Sequence, residues 1–229
     1  MKRSAAVSLV LLLSLACNAP IPPQSAPSAA APSATVPSAT TATPDPAMVP
    51  TTTPTPRGVI LVSGIDIATV GSDAFLAQTE EALLFLQDCA PDALAVADEF
   101  VSTIVESDRS GMVVAQGTFL ASETTAFAPG YPQPAQVYWF AGSVVHDARH
   151  RWQDQAGTPT AWDSLTLEQR EAIESDARAV QIDMLEKCLD DVPEEARGDA
   201  EYLLQYLNDM QDGIIPCDYC EVEWADRDW

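Results

Sequence analysis

The stretch SVVHDARHRWQ, Ser143 to Gln153, carries both histidines of a 229-residue chain. On a helix, His146 and His150 stand at i and i+4, so their rings leave the same face about one turn apart. Two imidazoles at that spacing can ligate one tetrahedral zinc ion. Two histidines on one helix face are often an accident of the surface, and two ligands alone hold a metal weakly. Against that, two random positions fall four apart roughly one time in a hundred, which makes this pair more specific than a bare pattern.

The run VVHDARH, preceded by the small and apolar WFAGSVV, resembles the HExxH helix of the zincin metallopeptidases. It is also similar to the His-Glu-Ala-x-His helices of small secreted bacterial peptidases. The resemblance implies zinc, a water in the fourth coordination position and hydrolysis of a peptide bond. It departs at Asp147, which stands where those families have the glutamate that serves as general base. Aspartate has the same chemistry on a stem one methylene shorter, and a difference of ~1 Å in reach can cost much of a rate. In zincins of the gluzincin type the third ligand is a glutamate on a later helix. EQREAIESDARAVQ offers Glu168, Glu171, Glu174 and Asp176. Glu174 is the choice, because its frame with Ala177 and Gln181 resembles the ExxAxxxQ helices of such families and puts a small residue where two helices must approach. Glu171, three residues earlier on nearly the same face, is the runner-up. The ordinary fate of each is a solvated acidic face. The same resemblance asks for an outer carboxylate, such as Asp176, to accept a ring N–H. It also asks for oxyanion donors, for which Tyr131, Tyr138 and Arg149 are candidates. Trp152 and Gln153 read as packing or capping residues. The strand region ahead of PGYPQP can supply a sheet edge for an extended substrate. The resemblance covers Val137 to Gln181; the remainder is read from pattern alone.

The elements that must position these residues are mostly helical. Arg57 to Ile65 is β-rich and reads as a first strand. A helix follows, capped by Ser72 or Asp73, with Phe75, Leu76, Leu83 and Leu86 on its apolar face and Pro91 just beyond its end. The next segment keeps helical spacing through Leu94, Ala97, Val101 and Ile104, although its β-branched end also fits a strand. Gly111 to Gly130 has the composition of strand pairs, with Gly117 near a turn or bulge. The histidine helix runs from about Ala135 to Gln155 and stops near Gly157. A long helix capped by Ser164 or Thr166 presents Leu167, Ile173, Ala177, Val180, Met184 and Leu185. Pro193 opens a last helix, through about Met210, with Glu194 and Glu195 suited to its first turn. The class is α+β, helix-dominated, with a small β-sheet.

The chain's beginning points to export. Met1-Lys2-Arg3 is a basic start, and Ser4 to Ala16 is an apolar core, too short to span a bilayer and right for a secretory signal. Its end, LSLAC, resembles the lipobox of bacterial lipoproteins, which implies cleavage after Ala16 and a lipidated Cys17 as membrane anchor. Lipoboxes prefer leucine three residues before the cysteine, where this chain has Ser14. Ordinary secretion is the alternative. Asn18 to Pro56 holds 11 of the 18 prolines and one charged residue, Asp45. Such a segment buries too little apolar surface to offset its ordering entropy, so it reads as a disordered tether. The organisation is thus 1–16 signal, 17–56 tether and 57–229 globular domain, anchored outside the cytoplasm at the cell envelope. The formal charge of −23, with 11 Lys+Arg against 34 Asp+Glu, makes nucleic acid a poor partner and anionic lipid a poor direct ligand.

Four cysteines remain besides Cys17: Cys89, Cys188, Cys217 and Cys220. An even number in an exported chain argues for two disulfides, with three pairings open. Cys89–Cys188 is favoured, with Cys217–Cys220 closing CDYC. A redox or half-metal role for that CxxC is weaker, since no strand precedes it and no helix follows. The expected function is a zinc-dependent peptidase at the envelope. The alternative is a non-catalytic, partner-binding envelope lipoprotein with a degenerate or structural metal site.

Overall fold

Ser72 shows why the first helix starts where it does. It lies in an extended conformation, and its Oγ accepts a hydrogen bond from the Phe75 amide at 3.3 Å, satisfying one of the orphan donors of α1, Asp73–Cys89. In the computed structural model, which describes residues 64–159 and 164–215, α1 follows a short strand, β1 (Ala68–Val70). Pro91 opens α2 (Pro91–Phe100), where its missing N–H costs nothing. The helical spacing expected to continue through Val101 and Ile104 stops at Phe100. The β-branched Thr103, Ile104 and Val105 form strand β2 (Thr103–Glu106) instead. A hairpin of β3 (Gly111–Val113) and β4 (Thr118–Ala121) follows. Gly117 ends its turn at φ +65°, and a Cβ there would collide with the Arg151 guanidinium.

The sheet order is β1-β2-β4-β3, with β2 parallel to β1 and β4, and β3 antiparallel to β4 at the edge. One expectation fails here. The Ser122–Phe127 stretch, expected in strand pairs, is a single helical turn and a half, α3 (Glu123–Phe127), because the Ser122 side chain caps it. The first strand, expected at Arg57 to Ile65, falls largely outside the described residues, and β1 lies just beyond it.

Helix α4 (Gln133–Gln155) crosses this sheet. Phe140 sits between Phe75 of α1 and Phe119 of β4, with ring centroids 6.0 and 6.1 Å away, and Val144 and Ala148 continue the buried face. Another face of α4 meets α5 (Leu167–Cys188). Thr166 caps α5 in a reciprocal box with Gln169. Leu167, expected on the apolar face of α5, is 45% exposed, since it lies in the first turn before the helix reaches α4. Gly142 marks the close approach: a Cβ there would press on Gln181 and Leu185 at 3.1–3.2 Å. A 3₁₀ turn (Leu189–Asp191) leads to α6 (Glu194–Gln211), which packs on both α4 and α5. The last residues of α1 and α5 are joined by the Cys89–Cys188 disulfide, with Cα atoms 5.2 Å apart. Cys17, the tether, Cys217 and Cys220 lie outside the described residues. Among the described residues, no helix is long and apolar enough to cross a membrane.

Candidate metal centre

His146 and His150 point from one stripe of α4 into the seam with α5, where Glu174 enters from the opposite side. His146 Nε2 and His150 Nε2 are 3.0 Å apart. His146 Nε2 lies 3.3 Å from one oxygen of Glu174, and His150 Nε2 lies 3.5 Å from the other. Zinc–ligand bonds of 2.0–2.1 Å at tetrahedral angles put neighbouring donors ~3.3–3.4 Å apart. The observed separations lie near that length, although the two histidines face different Glu174 oxygens; with one donor atom from each residue, all three lie within 4.8 Å of one another, a spacing that one cation can draw together. His146, His150 and Glu174 can thus hold a metal ion. Glu171 lies one turn earlier on α5, exposed to solvent and outside this cluster, and Glu168 is exposed as well.

Burial gives the cluster its electrostatic character. Glu174 is 4% exposed, and an isolated carboxylate at that depth would be strongly disfavoured. Burial works to raise its pKa, but the charge of His150 and the hydrogen bonds of both histidines outweigh it and hold Glu174 well below its ordinary 4.5. For His150, burial works against the charged ring. The charge and hydrogen bond of Glu174, with the nearby charge of Asp147 and a contact to Gln153, reverse that and raise the pKa to about 9. Metal-free, the site therefore holds a proton where a cation would sit. Asp147 itself is buried.

No protein-family model, curated protein or solved structure matches the chain. The site must be read on its own geometry.

The surrounding residues revise several expectations. Asp176 does not touch a ring. It accepts two hydrogen bonds from Arg149, at 2.8 and 3.1 Å, and one from the Gln153 amide nitrogen at 2.8 Å. The Arg149 bonds, opposed in part by burial, keep the Asp176 carboxyl below its usual range. Arg149, an oxyanion candidate, is thereby engaged, and its guanidinium also lies 3.6 Å over the Trp152 ring. Tyr138, another candidate, is fully buried and donates to the Leu185 carbonyl at 3.0 Å. Burial, then the charge of Glu186, raises its pKa far above the usual tyrosine value. Tyr131 stacks on Tyr202 and lines a cavity of about 260 Å³ with Trp139 and Tyr206. Gln153, read as a packing residue, instead bonds His150 Nδ1 at 3.0 Å. A signal for it existed: it stands three residues after His150, on the same helix face.

Proposed function

We propose that the chain is an exported, lipid-anchored zinc peptidase, with His146, His150 and Glu174 as the zinc ligands, Asp147 as the general base and Cys17 as the lipidated residue. The observation that carries this reading is the convergence of three donor residues, His150 and Glu174 buried and His146 half-buried, within 4.8 Å of one another, from an HDxxH helix and a returning glutamate helix. Zinc held there would supply Lewis acidity and a nucleophilic water at neutral pH. Asp147 would take the proton of the attacking water on its carboxylate and pass it to the leaving amine. Among the described residues β3 has a neighbour on one side only, and its open edge suits an extended peptide. Trp139 stands seven residues before His146 on the same face, so the aromatic cavity lies ~10 Å along α4, within reach of a substrate side chain. The Cys89–Cys188 disulfide supports an oxidising, extracytoplasmic location.

The second reading is a non-catalytic envelope protein that keeps the metal for structure and binds a partner. The short reach of Asp147 favours it. Peptide-library cleavage by zinc-loaded wild type, Asp147→Asn and Asp147→Glu separates the two. The peptidase reading expects Asp147→Asn to lose about 10²–10⁴-fold in rate with zinc retained, and Asp147→Glu to exceed wild type. Zinc-bound protein with no cleavage by wild type or Asp147→Glu favours the binding module.

The metal reading also fixes a pH signature. Folded His150 has a pKa of about 9 against an ordinary 6.5, so its contribution to metal-free stability is fully present below 6.5 and lost as pH rises through 9. The contribution of Glu174 is present above 4.5 and lost as pH falls through its depressed folded value. Zinc must displace the His150 proton, so its affinity climbs about tenfold per pH unit until that pKa is passed. Melting followed by circular dichroism at pH 6.5 and pH 9, with chelator and with zinc, should show a zinc-induced increment that grows with pH. An increment that shrinks over this interval would contradict the site.

A further inference from the structure

Gln153 is 3% exposed and reaches from α4 across to α5. Its amide nitrogen lies 3.0 Å from the Ile173 carbonyl oxygen and 2.8 Å from an Asp176 carboxylate oxygen. A carbonyl and a carboxylate can only accept, so the NH₂ end of the Gln153 amide must face them. The opposite amide orientation would set oxygen against two oxygens. The Gln153 carbonyl oxygen therefore faces His150 Nδ1 at 3.0 Å. That oxygen has no proton to give, so Nδ1 must carry one. The neutral ring then has its lone pair on Nε2, the atom that faces His146 and Glu174.

From this geometry we propose that Gln153 is a positioning residue for the metal centre, fixing His150 in its Nδ1–H tautomer and aiming the Nε2 lone pair at the cation. The inference rests on the metal-centre reading above. Asp176 acts one step further out: Arg149 clasps its carboxylate with two bonds, which leaves it directed at Gln153. The series Arg149–Asp176–Gln153–His150 runs from α4 to α5 and back to α4, the two helices that supply the ligands. A shift in their packing would be felt directly by the His150 ring. His146 lacks such support: its Nδ1 is buried and meets no hydrogen-bond partner among the described residues. The two histidine ligands are thus unequal, one oriented from behind and one held by its metal-facing atom alone.

The chain's two histidines make the test tractable on full-length protein labelled with ¹⁵N-histidine, using His146→Gln to assign the rings. Two-bond ¹H–¹⁵N spectra of metal-free protein, taken above the His150 pKa of about 9, report the tautomer. Competition with a chromogenic chelator reports zinc affinity. Wild type should show Nδ1–H on His150. Gln153→Leu should show mixed tautomers and zinc affinity lower by about 10–100-fold, the usual cost of losing an outer partner of a ligand. Gln153→Glu combined with Asp176→Asn keeps an acceptor for Nδ1 and restores a donor opposite the new carboxylate, so this double variant should keep the Nδ1–H tautomer. A purely structural role would change melting temperature without moving the tautomer. If Gln153→Leu fails to fold, the spectra of wild type and of the Gln153→Glu, Asp176→Asn double variant still decide. An Nε2–H tautomer in wild type, or undiminished zinc affinity in folded Gln153→Leu, overturns the proposal. If wild type binds no zinc, the metal reading falls, and the positioning role for zinc falls with it, while the tautomer is still read from the metal-free spectra.

Discussion

Glu174→Ala should abolish stoichiometric zinc binding, whereas Glu171→Ala should leave it intact. Structural zinc binding of ~10–16 kcal/mol spread over four ligands gives ~3–4 kcal/mol per ligand, roughly 10²–10³ in affinity. Two imidazoles without the carboxylate revert to the weak pair that the bare i, i+4 spacing provides. The control works because the two glutamates differ in environment and not in chemistry: Glu174 is buried against both rings, and Glu171 is exposed. The same substitution has a metal-free readout. Burial alone lowers the His150 pKa, and Glu174 is the main group that reverses it. In Glu174→Ala the ring should therefore titrate well below its wild-type value, seen as the histidine proton shift against pH. Chelator competition measures the first effect. Zinc bound equally well by Glu174→Ala, or lost in Glu171→Ala, would reassign the third ligand.

The second large effect concerns stability. Cys89 and Cys188 are 99 residues apart in sequence, and the bridge closes a loop that contains strands β2, β3 and β4, helix α4 and nearly all of α5. Cross-linking a loop of about 100 residues removes unfolded-state entropy worth ~4.7 kcal/mol in the chain-entropy model, and native disulfides commonly contribute about 2–5 kcal/mol. The double variant Cys89→Ala, Cys188→Ala should lose stability in that range by urea unfolding monitored with circular dichroism. Both helix ends stay packed, because Cys188 sits among core residues such as Leu185 and Val192. The folded fraction should accordingly retain the His146–His150–Glu174 cluster. Zinc in excess should restore part of the loss by binding the folded state. A change below about 1 kcal/mol would mean that the bridge does little to constrain the unfolded chain.

How much of this was legible in the sequence follows from where each signal resides. His146 and His150 needed no tertiary knowledge, since helix geometry alone puts i and i+4 together. Glu174 was separable from Glu171 only through the frame with Ala177 and Gln181. That frame works because Ala177 is fully buried and Gln181 lies against Gly142, where α5 meets α4. Long helices were readable from caps and periodicity, with Ser72 and Thr166 as their starts. Short elements were not. A three-residue parallel strand such as β1 has no room to show alternation, and α3 depends on one serine cap that competes with β-prone threonines. Gln153 was missed for a further reason. Its role comes from partners on another helix, Ile173 and Asp176, which only the packing of α4 on α5 brings near. Arg149 reads from the sequence only as one of three oxyanion candidates, because its pairing with Asp176 spans 27 residues.

The central claim is that this chain carries a built metal site, and the metal content of the purified protein tests it most directly. Elemental analysis of wild type and of His150→Ala, each after zinc loading and removal of excess metal, should find one zinc per wild-type chain and none in the variant. No bound metal in wild type, or zinc that persists in His150→Ala, would contradict the account.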